Sequence, residues 1–230
     1  MPQVIFKIPS YELVAEKVFW GIKDLKDDYK KVIYLDLPDD FVKEIINKDF
    51  SYVKNKLIEE IKKKHNIKEL EKYKKEIERY WNPLNNLFFK NLKKIMGFDF
   101  EYKEYIVYIT KIRRGSYTTE NIVFTNPTES IRRCEYITAE ELLHLHYWDI
   151  FKKTIKDVRL PWRINKKIWK ISETIPEFIL TDDLFKKFGW GKNLNRKYPF
   201  IEEIKKELAP IWKNKKNFKD FMIKVHKGLL

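Results

Sequence analysis

Residues 138–148 read TAEELLHLHYW, and the interpretation of the whole chain starts from this stretch. Its pattern of apolar and polar side chains predicts a helix, on which residues four apart are surface neighbours. Glu140 and His144 therefore share one face, one turn apart. Carboxylate and imidazole groups at this spacing are typical of the ligands of a metal ion.

The stretch differs at one position from the zinc-binding helix motif H-E-x-x-H. Glu140 stands where that motif has its first histidine, whereas Glu141 and His144 match its glutamate and its second histidine. A structural explanation is also open. Thr138-x-x-Glu141 fits a capping box that begins the helix near Thr138, with both glutamates at the positive end of the helix dipole. In that case neither carboxylate takes part in catalysis.

Residues on the amino-terminal side of this stretch predict helices followed by a sheet. Between residues 40 and 96 apolar side chains recur three and four apart, which predicts a helical hairpin or small bundle with breaks at His65-Asn66 and Asn82-Pro83. Runs of β-branched and aromatic residues at 104–110 and 121–125 then predict two strands.

Helical pattern resumes near Thr138 and continues to the carboxyl terminus. We therefore expect an α+β fold in a single domain spanning residues 1–230. A mainly helical N-terminal region would occupy residues 1–97. A small twisted β-sheet and a helical C-terminal half would occupy residues 98–230.

The order of these elements resembles the zincin metallopeptidases, and in particular the gluzincin type. In that family the third metal ligand is a glutamate on a helix downstream of H-E-x-x-H. The segment Ser172-Glu173-Thr174-Ile175-Pro176-Glu177 is similar to that downstream helix. The resemblance covers roughly residues 100–181 and implies a zincin-like sheet with active-site helices.

The resemblance also implies roles for individual residues. Glu173 would be the downstream metal ligand, His144 the second histidine ligand, and Glu141 the residue that polarises the attacking water. Glu140 would replace the first histidine ligand. Two carboxylates and one imidazole can hold a divalent metal such as zinc. Compared with the usual zinc ligand set, this set is better suited to manganese or iron.

Other residues near the predicted helix have weaker possible roles. The strand Ile122 to Thr125 would pair with an extended peptide if it lies at the sheet edge beside the helix. His146 and Tyr147 are candidates to contact a tetrahedral intermediate, although position 146 is turned well away from His144. Cys134 follows two arginines that could activate a thiol, but a lone cysteine of this kind is usually structural.

A second metal interpretation rests on the sequence Glu141-Leu142-Leu143-His144, which matches the E-x-x-H of ferritin-like di-iron bundles. Those bundles need two such motifs, and this chain has one. The predicted strands in the middle of the chain also fit that fold poorly.

Bulk composition excludes some classes of protein. The chain has no run of about 18 apolar residues, so we expect no membrane span. It also lacks a secretory signal, and its single cysteine excludes an internal disulfide, so we expect a cytoplasmic protein. The net charge of +14 would suit an anionic partner, but the lysines alternate with acidic residues, as on solvated helix faces.

Three hypotheses for function remain open. The first is a metal-dependent, peptidase-like hydrolase with the ligand set Glu140, His144 and Glu173, acting on a peptide or protein. The second is a catalytically inactive zincin-like protein that binds peptides or proteins. The third is a basic module that binds nucleic acid.

Overall fold

Four short strands form one mixed sheet: β1 (Gln3–Lys7), β2 (Glu104–Ile109), β3 (Ser116–Tyr117) and β4 (Ile122–Thr125). The computed structural model describes residues 1–113, 115–117, 121–127, 130–155, 166–190 and 198–227. The strand order is β1-β2-β4-β3. Neighbouring strands are parallel except for β3, which runs antiparallel to β4.

Helices make up most of the rest of the fold and confirm the α+β class. The described helices are α1 (Tyr11–Leu25), α2 (Asp39–Asn47), α3 (Phe50–Lys64), α4 (Ile67–Trp81), α5 (Asn85–Met96), α6 (Ile131–Thr154), α7 (Lys166–Thr174), α8 (Pro176–Ile179), α9 (Ile201–Lys213) and α10 (Phe218–His226), with 3₁₀ helices at Lys26–Lys31 and Asp183–Phe188. The predicted breaks at His65-Asn66 and Asn82-Pro83 are confirmed as the ends of α3 and α4. Within the described ranges, every helix is too short or too polar to cross a lipid bilayer.

The N-terminal region also supplies a strand that was not predicted. β1 pairs in parallel with β2, with Val4 opposite Tyr105 and Phe6 opposite Val107. The side chains of Val4 and Phe6 are buried and alternate with more exposed neighbours. The run is only five residues long and its partner lies far along the chain, so its pairing depends on tertiary structure.

β4 lies inside the sheet, so the condition under which Ile122 to Thr125 would pair with a peptide is not met. The strand is bonded to β2 on one side and to β3 on the other. The free edge beside it therefore belongs to the short strand β3. A strand's neighbours are set by distant pairing partners, so its own apolar pattern did not reveal this position.

Helix α6 begins seven residues earlier than predicted, and this overturns the capping-box interpretation. Its N-cap is Ser130, whose side chain accepts a hydrogen bond from the Arg133 amide. Thr138, Glu140 and Glu141 consequently lie two turns or more inside the helix, away from the unpaired amides of its first turn. The earlier start was missed because the two arginines after Ser130 interrupt the apolar pattern.

The side chains of α6 are buried around most of its circumference. Sixteen of its residues are buried, including Cys134, Glu135, His144 and His146. The helix packs against β3 and β4 and against α4, α7, α8 and α10. A helix that is enclosed on several sides is a central element of the fold, and its polar residues lie in a low-dielectric environment.

Two apolar cores flank the sheet region. The larger one joins the sheet with α4 to α10 and contains the apolar side chains of α6. The smaller one is built from α1, α2 and α3, together with residues such as Ile33 and Leu35. Ile33 bridges to Arg113, which connects the smaller core to the segment just after β2. The candidate site lies in the larger core.

Substituting Ser130 and Thr138 separately tests which residue caps α6. Ser130→Ala should lower the free energy of unfolding by about 1 kcal/mol, because it removes the side-chain acceptor of the first turn. Thr138→Val should leave that free energy unchanged or raise it, because the buried Thr138 hydroxyl has no hydrogen-bond partner among the described residues. Urea unfolding of the two variants measures both values. A loss of about 1 kcal/mol in Thr138→Val alone would instead indicate that Thr138 caps the helix and that the helix begins there.

The four histidines of the chain predict how stability depends on pH. All four are buried: His65, His144, His146 and His226. Burial lowers the pKa of His144 and of His146 to about 3 and that of His226 to about 4, and it also lowers the pKa of His65. Unfolded histidine titrates near pH 6.5, so between about pH 6.5 and pH 4 the unfolded chain binds protons that the folded chain does not. The free energy of unfolding should therefore fall as the pH is lowered through this window.

A variant separates the histidines from the carboxyl groups in this test. Burial raises the pKa of Glu135 and of Asp149, and these groups act in the opposite direction, gaining stability as the pH falls. His146→Phe should weaken the pH dependence between pH 7.5 and pH 5, measured by urea unfolding of variant and wild type. Equal slopes in the two proteins would contradict the assignment to His146.

Candidate functional site

His144 and Glu173, which are distant in sequence, face each other in the structure. The His144 Nε2 atom lies 4.0 Å from Glu173 Oε1, with α6 supplying the histidine and α7 the glutamate. The separation is too long for a hydrogen bond. The exposed fraction of the side chain is 3% for His144 and 15% for Glu173. The fold thus brings together two of the three predicted metal ligands.

The environment of His144 favours the neutral imidazole. Complete burial lowers its pKa to about 3, so the ring is uncharged near neutral pH. Its Nδ1 atom has no hydrogen-bond partner among the described residues. The ring of Tyr117 stacks on the imidazole, with centroids 5.3 Å apart and planes inclined by 28°. A neutral imidazole is the form of histidine that binds a metal ion.

Glu141 lies under the beginning of β3. A Cβ atom placed on Gly115 would come within 3.2 Å of Glu141 Oε1 and within 2.4 Å of the Ile137 Cγ2 atom. Only glycine lets the backbone pass this close to α6. Glu141 and His144 are three residues apart and so occupy neighbouring positions on the helix. The predicted general base and the predicted histidine ligand consequently both face β3.

Glu140 lies one turn after Tyr136 and one turn before His144 on α6. Burial raises the pKa of the Tyr136 hydroxyl, and the negative charges of Glu140 and then of Glu177 raise it further. Glu177 is itself buried, and its Oε2 atom lies 3.3 Å from Lys205 Nζ. Glu140 is thus placed between the level of His144 and that of Tyr136, along one side of α6.

Glu177 is a buried acidic residue near the candidate site to which no role was assigned from the sequence. Its position four residues after Glu173 was the available signal. α7 ends at Thr174 and α8 begins at Pro176, and both helices pack against α6. As a result Glu173 approaches His144 and Glu177 approaches Tyr136. The acidic segment follows the surface of α6.

The donor set of the pair is compatible with a divalent metal. Imidazole nitrogen and carboxylate oxygen are ligands of zinc, and carboxylates also suit manganese and iron. Two ligand atoms on one tetrahedral zinc lie about 3.4 Å apart, so the observed pair would need only a small approach. Across the part of the chain that the structure describes, however, no group of three or more His, Cys, Asp or Glu side chains is arranged to hold a metal ion.

Three residues considered from the sequence lie away from this pair. His146 packs on the ring of Phe100, with centroids 4.4 Å apart. The Tyr147 hydroxyl shares a hydrogen bond of 3.0 Å with His226 Nε2. The buried Cys134 thiol donates to the Asn126 carbonyl at 2.9 Å. Helix geometry explains the first case, because residues two apart point about 200° from each other.

Gly115→Ala tests whether β3 passes closely over α6. The added methyl group would overlap Ile137, and we expect a loss of about 1–3 kcal/mol in the free energy of unfolding. The double variant Gly115→Ala/Ile137→Ala, which removes the obstructing Cγ2 methyl group, should lose less stability in a urea titration than the sum of the two single changes. An unchanged midpoint for Gly115→Ala would show that β3 lies further from the helix.

The chain was also compared with proteins of known family and structure. Comparisons with protein-family profiles, with curated proteins and with solved structures found no match.

Proposed function

We propose that this protein is a metal-dependent, peptidase-like hydrolase with a zincin-like arrangement of its sheet and site helices. The observation that carries the proposal is the approach of His144 Nε2 to Glu173 Oε1 at 4.0 Å. The two residues come from different helices. They are the two ligand positions at which the chain agrees with the H-E-x-x-H…E pattern.

The length of α6 supports a functional explanation for Glu140 and Glu141. Because the helix starts at Ile131, neither glutamate is close enough to cap the amides of its first turn. Both are only half-buried, although most of their neighbours on α6 are fully buried. Placing two carboxylates in the middle of a largely enclosed helix costs desolvation energy. Such a cost is typical of functional sites, where the charged groups bind a ligand or take part in catalysis.

Each residue of the proposed site has one role. His144, Glu173 and Glu140 would hold the divalent cation, which when bound polarises a carbonyl group and lowers the pKa of water. Glu141 would accept the proton of the attacking water and deliver it to the leaving amine. With two carboxylates and one imidazole, the site would accept manganese or iron as well as zinc.

An extended peptide would reach this site along β3. β4 is enclosed by β2 and β3, so the outer strand of the described sheet on this side is β3, which follows Gly115 beside Glu141 and carries Tyr117 against His144. Pairing with a sheet edge is a common way to hold an extended peptide. The proposed substrate is therefore a peptide or a protein segment.

A second function is favoured by one observation. No three metal-ligating side chains converge within the described ranges. The competing proposal is a metal-free protein of the same architecture that binds peptides and does not cleave them.

Metal analysis combined with charge-neutral variants separates the two functions. The purified protein, without a histidine tag, is incubated in turn with zinc, manganese and iron, dialysed, and analysed for bound metal. Near one ion per chain is expected for at least one metal. His144→Gln, Glu173→Gln and Glu140→Gln should each lose it, whereas Glu71→Gln, an exposed change on α4, should not.

Glu141→Gln provides the catalytic arm of the same experiment. It should keep the metal and abolish cleavage of a mixture of quenched fluorescent peptides, because it removes the proton acceptor and no ligand. Absence of bound metal under all conditions would reject the hydrolase. Retention of the metal by Glu140→Gln alone would reject Glu140 as a ligand.

A further inference from the structure

We propose that Tyr117 is a positioning residue, which together with Trp148 holds the His144 imidazole in the orientation that points Nε2 at Glu173. The Tyr117 ring stacks on the imidazole, and the Trp148 indole Nε1–H donates a hydrogen bond of 2.7 Å to the Tyr117 hydroxyl oxygen. The consequence for metal affinity rests on the proposed function. The orientation of His144 itself does not.

His144 has no hydrogen bond among the described residues that would fix its ring. Its Nδ1 atom has no partner there, and Glu173 lies beyond hydrogen-bond distance of Nε2. In metal sites the second ring nitrogen of a histidine ligand usually donates to a carboxylate or carbonyl, and that bond sets the tautomer and the ring orientation. At His144, stacking against Tyr117 restricts the plane of the ring and so supplies the orienting part of that effect.

Tyr117 is in turn held at both ends. Its backbone belongs to β3, opposite Val123 of β4. Its hydroxyl is held by Trp148, which lies one turn beyond His144 on α6 and packs edge-on against Phe151 at 5.4 Å. The Tyr117 side chain therefore connects the outer strand of the sheet to the same helix that carries His144.

This arrangement makes the His144 ring sensitive to the position of β3. Among the described residues the strand is two residues long and pairs with β4 on one side. A displacement of β3 would remove the stacked ring from the imidazole and leave two ring rotamers closer in energy. The ligand would then bind a cation less tightly, because part of the binding energy would be used to order it.

The test uses two readouts on the full-length protein. The first is the nitrogen-15 NMR spectrum of the His144 imidazole in the metal-free protein, assigned by comparison with His144→Gln. The second is zinc affinity, measured by competition with a chromophoric chelator. The variants are Tyr117→Phe, Trp148→Phe, their double mutant and Tyr117→Leu. Tyr108→Phe is the matched control, since Tyr108 lies on β2 and packs on Phe124 at 5.6 Å.

We expect wild type and Tyr108→Phe to show one set of imidazole nitrogen shifts for His144, as from a single ring orientation. Tyr117→Leu should give shifts averaged between two ring orientations and a zinc affinity lower by up to about tenfold. Tyr117→Phe removes the hydrogen bond and keeps the stacked ring, whereas Trp148→Phe removes the same bond and also shortens a buried side chain. Each should produce a smaller change than Tyr117→Leu, and the double mutant should show less than the sum of the two single changes.

Wild-type nitrogen shifts in a folded Tyr117→Leu protein would overturn the proposal. Additive effects of Tyr117→Phe and Trp148→Phe would also overturn it. If Tyr117→Leu does not fold, the two phenylalanine variants decide between these outcomes. Failure of the wild type to bind zinc would count against the zinc-binding site alone, because the imidazole spectra are recorded without metal.

Discussion

The burial of α6 is the constraint on which the rest of the structure depends. Sixteen of its 24 residues are buried, and the helix contacts strands on one side and helices on others. Any polar group on such a helix must meet a partner from a neighbouring element or remain unpaired at a cost. The chemistry of the candidate site follows from how the neighbouring elements meet this requirement.

The same burial sets the chemical state of the site. It keeps His144 neutral, with a pKa of about 3, and so suits it to bind a cation and not to carry a charge. Glu173 approaches from α7 and its side chain retains some exposure. It supplies a carboxylate oxygen as a metal-binding atom, whereas His144 supplies a neutral nitrogen. Glu177 is buried more deeply, and Lys205 at 3.3 Å supplies its compensating charge. Thus the two acidic residues of one short segment have different electrostatic surroundings.

Local sequence signals predicted those elements whose pattern lies within one segment. The turn at His65-Asn66 was predicted because asparagine caps α4 directly. β2 and β4 were predicted from their β-branched residues. β1 was missed, and the position of β4 inside the sheet was left open, because both depend on pairing between distant segments. The start of α6 was misplaced because Ser130 is followed by charged residues, which obscure the apolar period that identifies a helix.

The sequence by itself determined the α+β class, the helix breaks at His65-Asn66 and Asn82-Pro83 and the spacing of Glu140, Glu141 and His144 on one helix, since these follow from interactions between residues close in the chain. Only the tertiary structure decided that Glu173 meets His144, that Tyr117 stacks on that ring, and that the Tyr147 hydroxyl bonds to His226. The physical reason is that a side chain's partner, burial and pKa come from the elements packed around it, and residues distant in the sequence supply those elements.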